Sequence, residues 1–182
     1  MMSTSTIKKN DFNQSIVNDL KSDNKTKIKN AFKKITNKGK PSIIQPLIDL
    51  YCQHDADTHV KNEIKAVFSQ FKTSKALPIL IDNLSHKANS VKELMLYSIW
   101  SSNLDATDYI PQIISCACNG DFMVALEALT LIENLEGPFN EQDLIESMIT
   151  LNEYLTNQTD DKKDLINSML ETIKAFEEQI QI

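Results

Sequence analysis

The chain has 182 residues, enough for one domain with a sizeable core, and its 41% apolar and 24% charged residues are ordinary for a globular protein. Three Gly and five Pro are too few for the turns of a many-stranded sheet but suit short connections between helices. No stretch approaches the ~18 consecutive apolar residues of a membrane span, and the polar N-terminus lacks the apolar core of a secretory signal. We therefore expect a cytoplasmic protein with no membrane partner.

Charge is distributed unevenly along the chain, although its net value is only −6. Residues 1–50 carry ten Lys against four acidic residues, residues 51–100 six against five, and residues 101–182 three against sixteen. The segments therefore have net charges of +6, +1 and −13, so an elongated fold would be positive at one end and negative at the other. All 19 basic residues are Lys. Because Arg suits bidentate recognition of bases and phosphates, its absence disfavours a sequence-reading nucleic-acid binder.

Apolar residues recur at helical spacing along the chain and predict ten helices in five pairs. Polar segments such as NKGKP and EGPFNE separate some of these pairs. Three residues stand where helix N-caps are needed, namely Asp57, Ser90 and Asp160. The predicted pairs are 10–21 with 24–37, 41–53 with 58–72, 75–86 with 90–102, 107–118 with 121–135, and 140–156 with 160–180.

The middle three pairs share two features at a nearly constant period. Each first helix has an early proline, and the separations are 32 and 33 residues between Pro46, Pro78 and Pro111. A fixed period with two helices per unit is typical of an α-solenoid. The opening of the second helix also recurs, as Asp57 with Val60-Lys61, as Ser90-Val91-Lys92, and as Asp121 with Val124-Ala125. On these features residues 41–136 resemble HEAT repeats, a family of helical hairpins used as protein-binding scaffolds.

The resemblance implies an all-α fold, a right-handed HEAT-like α-solenoid of about five helical hairpins in one continuous domain. Residues 1–9 are then a disordered polar tail, 10–40 an N-terminal capping hairpin, 41–136 three HEAT-like repeats and 137–182 a C-terminal capping hairpin. A plain helical bundle is the alternative architecture.

The second helices of the middle pairs differ on the side turned away from their core stripe. Counted at about 100° per residue, these positions are polar in the second pair and largely apolar in the third and fourth. Because second helices line the concave surface of HEAT-like stacks, the resemblance implies a partner-binding ridge there. Its expected apolar contacts are Trp100, Leu96 and Leu129, and its expected polar contacts are Lys61 and Lys65. Alternatively, the three apolar side chains pack between neighbouring repeats.

The densest cluster of possible metal ligands lies in the segment YCQHDADTH, with Cys52, His54, Asp55, Asp57 and His59. The segment falls at a turn between two helices, where Asp and His cap the next helix and stay solvated. We therefore predict no metal, no cofactor and no catalytic residues.

The cysteines give no further sign of chemistry. Cys116 and Cys118 are two residues apart and so point to different helix faces, which makes joint chelation of one ion difficult. We interpret these two and Cys52 as buried, reduced thiols.

Together these patterns favour a non-enzymatic scaffold or adaptor that binds a protein or an extended peptide. One alternative is a nucleic-acid-binding HEAT-like protein, a class that includes base-excision enzymes. A second is a metal-dependent or lyase-like helper enzyme that uses the turn from His54 to His59. A third is an end-to-end homo-oligomer joined through oppositely charged ends.

Overall fold

The computed structural model describes residues 14–20, 22, 24–38, 41–53, 58–71 and 73–180, and excludes the side chains of Lys25 and residues 36–38. Ten α-helices are present in these ranges and no strand, so the predicted all-α class is confirmed. The predicted tail at residues 1–9 lies outside the described residues.

The ten helices are numbered in chain order. The first is α1 at 14–20. It is followed by α2 (Lys25–Lys38), α3 (Ile44–Gln53), α4 (Thr58–Phe68), α5 (Leu77–Asp82), α6 (Asn89–Ser101), α7 (Ile110–Cys118), α8 (Phe122–Glu133), α9 (Glu141–Asn157) and α10 (Lys163–Ile180). Three short 3-10 segments flank them at Pro41–Ile43, Asn83–Ser85 and Thr107–Tyr109.

Helix α4 ends at Phe68, four residues earlier than predicted. The side chains of Ser69 and Gln70 both donate to the carbonyl oxygen of Ala66, at 3.0 and 2.9 Å. Such side-chain donors compete with backbone N–H groups for helix carbonyls and favour termination. The buried Phe71 therefore follows a turn and meets Phe68 edge to face, with ring centroids 5.6 Å apart.

Helices that are two apart in the chain contact one another repeatedly. Among the second members of the pairs, α2 contacts α4, α4 contacts α6, α6 contacts α8 and α8 contacts α10. Among the first members, α7 contacts α9. The apolar faces enclosed by these contacts form one hydrophobic core that runs from Ile16 to Phe176. Among the described helices, none is both long enough and apolar enough to cross a bilayer.

The recurring prolines lie where helices tolerate them. Pro78 and Pro111 stand in the first turn of α5 and α7, and Pro46 is the third residue of α3. The missing N–H costs nothing there, because the first backbone donors of a helix have no intrahelical acceptor.

One predicted cap is wrong, and Asp160 accepts a backbone N–H of the turn before its helix rather than one of the helix itself. Helix α6 begins at Asn89 with Ala88 at its N-cap, so Ser90 lies inside the first turn and does not cap it. Asp160 accepts the backbone N–H of Lys162 at 3.3 Å, just before α10. Asp57 lies outside the described residues.

The turn between α7 and α8 is held by a buried lysine from the fifth pair. Lys162 Nζ donates to the carbonyl oxygens of Ala117, Cys118 and Gly120, at 3.0, 2.8 and 2.6 Å. A cation at a helix C-terminus satisfies carbonyls that lack a helical partner and interacts favourably with the helix dipole. Lys162 therefore joins the end of α7 to the start of α10.

A second lysine reaches the same turn from the third pair. Lys92 is also buried, and its Nζ donates to the carbonyl oxygen of Asn119 at 3.2 Å. The turn is tight: a Cβ added at Gly120 would lie 2.3 Å from a Val124 methyl carbon. Directly after it, Asp121 caps α8 by accepting the N–H of Val124 at 3.1 Å. The start of α8 is thus fixed by contacts from both neighbouring pairs.

Candidate functional site

A row of polar and aromatic side chains crosses α4, α6 and α8, and we call it the second-helix surface. Lys65 Nζ lies 4.1 Å from the ring centroid of Tyr97 and 3.7 Å from Glu93 Oε1. Tyr97 meets Trp100 edge to face, with centroids 5.2 Å apart. Trp100 Nε1 donates to Glu127 Oε2 at 2.7 Å. These five residues connect three consecutive second helices through side-chain contacts.

The sequence places this row on one side of α6. Glu93, Tyr97 and Trp100 are separated by four and three residues, so they share a helix face. All three are partly exposed, while the neighbouring Leu94 and Leu96 are buried. The row is therefore an accessible aromatic surface supported by charge contacts.

The predicted polar contacts both lie on α4 and are partly exposed. Lys65 belongs to the row described above, and Lys61 Nζ lies 4.8 Å from the ring centroid of Tyr51 on α3. Cation–π contacts of this kind stabilise by about 0.5–1 kcal/mol at exposed sites. The two lysines are thus on the same helix, one turn apart.

The expected exposure of Leu96 and Leu129 is wrong. Leu96 is 0% exposed and Leu129 is 8% exposed. The reason is that α6 contacts both α4 and α8, while α8 contacts α6, α7 and α10, so little of either helix is free. Their burial leaves these two side chains no surface for a partner, as the packing alternative anticipated. Trp100 is partly exposed but also packs against the core.

An exposed apolar cluster occurs on α8, and none of its residues is among the partner contacts predicted from the sequence. Phe122, Met123 and Leu126 are 40%, 44% and 37% exposed, respectively. Their spacing of three and four residues puts them within one turn of one another. Met123 is also one turn from Glu127, the acceptor of the Trp100 N–H. We call this cluster the α8 patch. Its signal in the sequence was that FMVALEALTLIE is apolar on more sides than one core stripe needs.

A groove of about 810 Å³ is lined mainly by residues of the first helices and their 3-10 turns. Four of its lining residues are acidic, namely Asp82, Asp108, Asp143 and Glu146. Cys116 also lines it, and burial raises the pKa of this thiol to about 11. Since the thiolate is the nucleophilic form, Cys116 is not activated for covalent chemistry.

The prediction of three buried thiols is right for Cys116 and wrong for Cys52. Cys118 is partly exposed and Cys52 is exposed. The buried residues of α3 are Ile44, Leu47, Ile48 and Leu50. Cys52 lies just outside this stripe, about 40° beyond Ile48 in the last turn of the helix.

The segment from His54 to Asp57 lies outside the described residues, and His59 is exposed at the start of α4. Within the described part of the chain, no three His, Cys, Asp or Glu residues are grouped to hold a metal. That no metal binds at the HDADTH turn stays a prediction. We expect protein purified without added metal to contain less than stoichiometric zinc, manganese or iron in elemental analysis. Stoichiometric metal that is lost on replacing His54 and His59 would contradict it.

Trp100 is expected to contribute to the stability of the fold. The Trp100→Ala variant removes a partly buried ring, so we expect a loss of about 2 kcal/mol in the free energy of unfolding, below the 3–5 kcal/mol of a fully buried aromatic. The Trp100→Phe variant keeps one aromatic ring but loses the donor to Glu127 and part of the packed indole, so a smaller loss of about 1 kcal/mol is expected. Urea unfolding measures the loss of unfolding free energy in both variants. Equal losses would show that packing of the aromatic ring retained by Phe contributes nothing.

No protein-family model matches this chain, and no curated protein matches it at a significant level.

Proposed function

We propose that this chain is a HEAT-like helical repeat protein that acts as a non-enzymatic scaffold or adaptor. It binds a protein or an extended peptide through the second-helix surface and the α8 patch. The contacts between alternate helices support the repeat arrangement, because in a solenoid each unit packs chiefly on its neighbours. The three free cysteines support a reducing compartment such as the cytoplasm.

The observation that carries this proposal is the accessible aromatic row next to exposed apolar side chains. Tyr and Trp are enriched among residues that dominate binding energy, and clustered exposed apolar side chains mark interaction sites on soluble proteins. Trp100 and Tyr97 supply the aromatic part, and Lys65 and Lys61 supply polar contacts beside it. Leu96 and Leu129 are buried and are therefore not part of the proposed contact surface.

Electrostatics favour a protein partner over nucleic acid. Residues 101–182, which include α7 to α10, have three Lys against sixteen acidic residues, which would repel a phosphate backbone. The basic residues of α2 lie at the other end of the chain order from these acidic helices.

Affinity capture from native cell extract tests this proposal. The immobilised wild-type protein is compared with a double variant, Lys65→Ala with Tyr97→Ala, and with Ile149→Ala as the control. Both replaced side chains of the double variant are partly exposed, and Ile149 is an exposed apolar residue on α9, so all three proteins should fold. We expect a specific partner on the wild type and the control that is depleted at least roughly tenfold on the double variant. Equal recovery on all three would contradict the proposal.

A further inference from the structure

We infer that the α8 patch binds a basic amphipathic helix, that is, a segment with apolar residues at helical spacing flanked by Lys or Arg. This inference rests on the proposed function and specifies the class of partner. It starts from the exposure of Phe122, Met123 and Leu126, which are large apolar side chains turned to solvent on a helix that is otherwise well packed.

The shape of the surface suits a helix. The 12 residues of α8 extend over about 18 Å at 1.5 Å per residue; Phe122 to Leu126 cover about the first 6 Å, and Glu133 ends the helix. A helix laid along α8 would contact the patch with residues spaced three and four apart.

The charges around the patch select a basic partner. On α8 and its cap, Asp121, Glu127 and Glu133 are acidic and no residue is basic. Glu133 is exposed and falls on the face of Phe122 and Leu126, seven residues beyond the latter. A partner with apolar residues flanked by Lys or Arg is therefore complementary, whereas an acidic helix would meet like charges.

The three lysines of residues 101–182, of which Lys163 is partly exposed, do not balance the sixteen acidic residues there. Lys162 is buried, and its Nζ donates to three backbone carbonyls of the α7–α8 turn. Lys174 Nζ is 2.9 Å from Glu171 Oε1 on its own helix. The same excess of carboxylates opposes nucleic acid and anionic lipid, both of which carry phosphate charge.

The test uses fluorescent helical peptides of about 14 residues, roughly four turns, titrated against the full chain in an anisotropy assay. The probe contains Leu at helical spacing with Lys at all other positions. One control peptide has Glu in place of Lys, and the other has the same Leu and Lys in strict alternation. The protein variants are Met123→Ser with Leu126→Ser, Glu133→Lys, and Ile149→Ser as the matched exposed control.

We expect the Leu–Lys helix to bind the wild type and the Ile149→Ser variant equally. Binding should weaken at least roughly tenfold in the double Ser variant, because exposed apolar anchors are lost. It should also weaken in Glu133→Lys, because a lysine there repels the basic peptide. High salt should weaken it as well, because surface charge pairs are screened. Neither control peptide should bind with comparable affinity.

Two results would overturn the inference. If the Leu–Glu helix binds as tightly as the Leu–Lys helix, the partner class is wrong, although the proposed function stands if capture still depends on Lys65 and Tyr97. If Leu–Lys binding is unchanged in both the double Ser variant and Glu133→Lys, the α8 patch is not the binding site.

Discussion

Replacing Lys162 by Met is expected to lower the free energy of unfolding by about 3 kcal/mol. The ammonium is buried and donates to three carbonyl oxygens of the α7–α8 turn. Met fills similar space but offers no donor, so these carbonyls lose their charged partner in a desolvated environment. A hydrogen bond to a charged group contributes about 1.5–3 kcal/mol, and an unsatisfied buried group costs about 1–3 kcal/mol. For a chain of this length, the expected loss corresponds to a fall in Tm of about 6–12 °C.

The matched control is Lys163→Met, which changes the adjacent and partly exposed lysine at the first position of α10. Its unfolding free energy should change by less than about 0.5 kcal/mol. Urea denaturation of both variants decides the matter. Equal small losses would mean that the contacts of Lys162 contribute no net stability.

Truncation after Glu136 is expected to abolish a cooperative unfolding transition or to lower Tm by more than about 10 °C. It removes α9, which packs on α7, and α10, which packs on α8, so the apolar faces of both remaining helices become exposed. It also removes Lys162 and so releases the α7–α8 turn. Each large apolar side chain returned to water costs about 1.5–3 kcal/mol, and a few of them match the total stability of a typical domain.

Removal of residues 181–182 alone is the control for truncation, because it leaves Lys163–Ile180 of α10 in place. Thermal unfolding and the soluble fraction are measured for both proteins. An unchanged midpoint after truncation at Glu136 would show that the C-terminal hairpin is an independent appendage rather than a capping unit.

Local patterns in the sequence predicted the helices well. The spacing of apolar residues placed all ten, and the prolines correctly marked the starts of α5 and α7. The errors at helix ends have local causes, such as the competition of Ser69 and Gln70 for the Ala66 carbonyl. These features depend on residues within one or two turns, which a sequence displays directly.

The surface was harder to predict because it depends on which helices become neighbours. Leu96 was expected to be exposed from the helical wheel of α6 alone, yet α4 and α8 flank that helix and bury it. The α8 patch was missed for the converse reason: α8 is apolar on several sides, and only packing decides which side remains exposed. Trp100 and Glu127 meet across 27 residues, a pairing that helical periodicity does not reveal.

Lys162 shows the same limit for a buried charge. The segment DDKKDL has the composition of a solvated turn, and its two lysines are indistinguishable by pattern. Lys162 is buried because the fifth pair brings it to carbonyls 42 to 45 residues earlier in the chain. No local rule separates it from Lys163.

Site-specific photocrosslinking tests the central claim most directly, namely that partners contact the second-helix surface. A benzophenone-bearing phenylalanine replaces Tyr97 on this surface or, as the control, Tyr109 beside the groove among the first helices. Both positions hold a partly exposed tyrosine, so the two probes are matched in size and accessibility. In native extract, we predict an adduct from position 97 that depends on ultraviolet light and is absent or much weaker from position 109. Adducts from position 109 without any from position 97 would contradict the proposed binding surface.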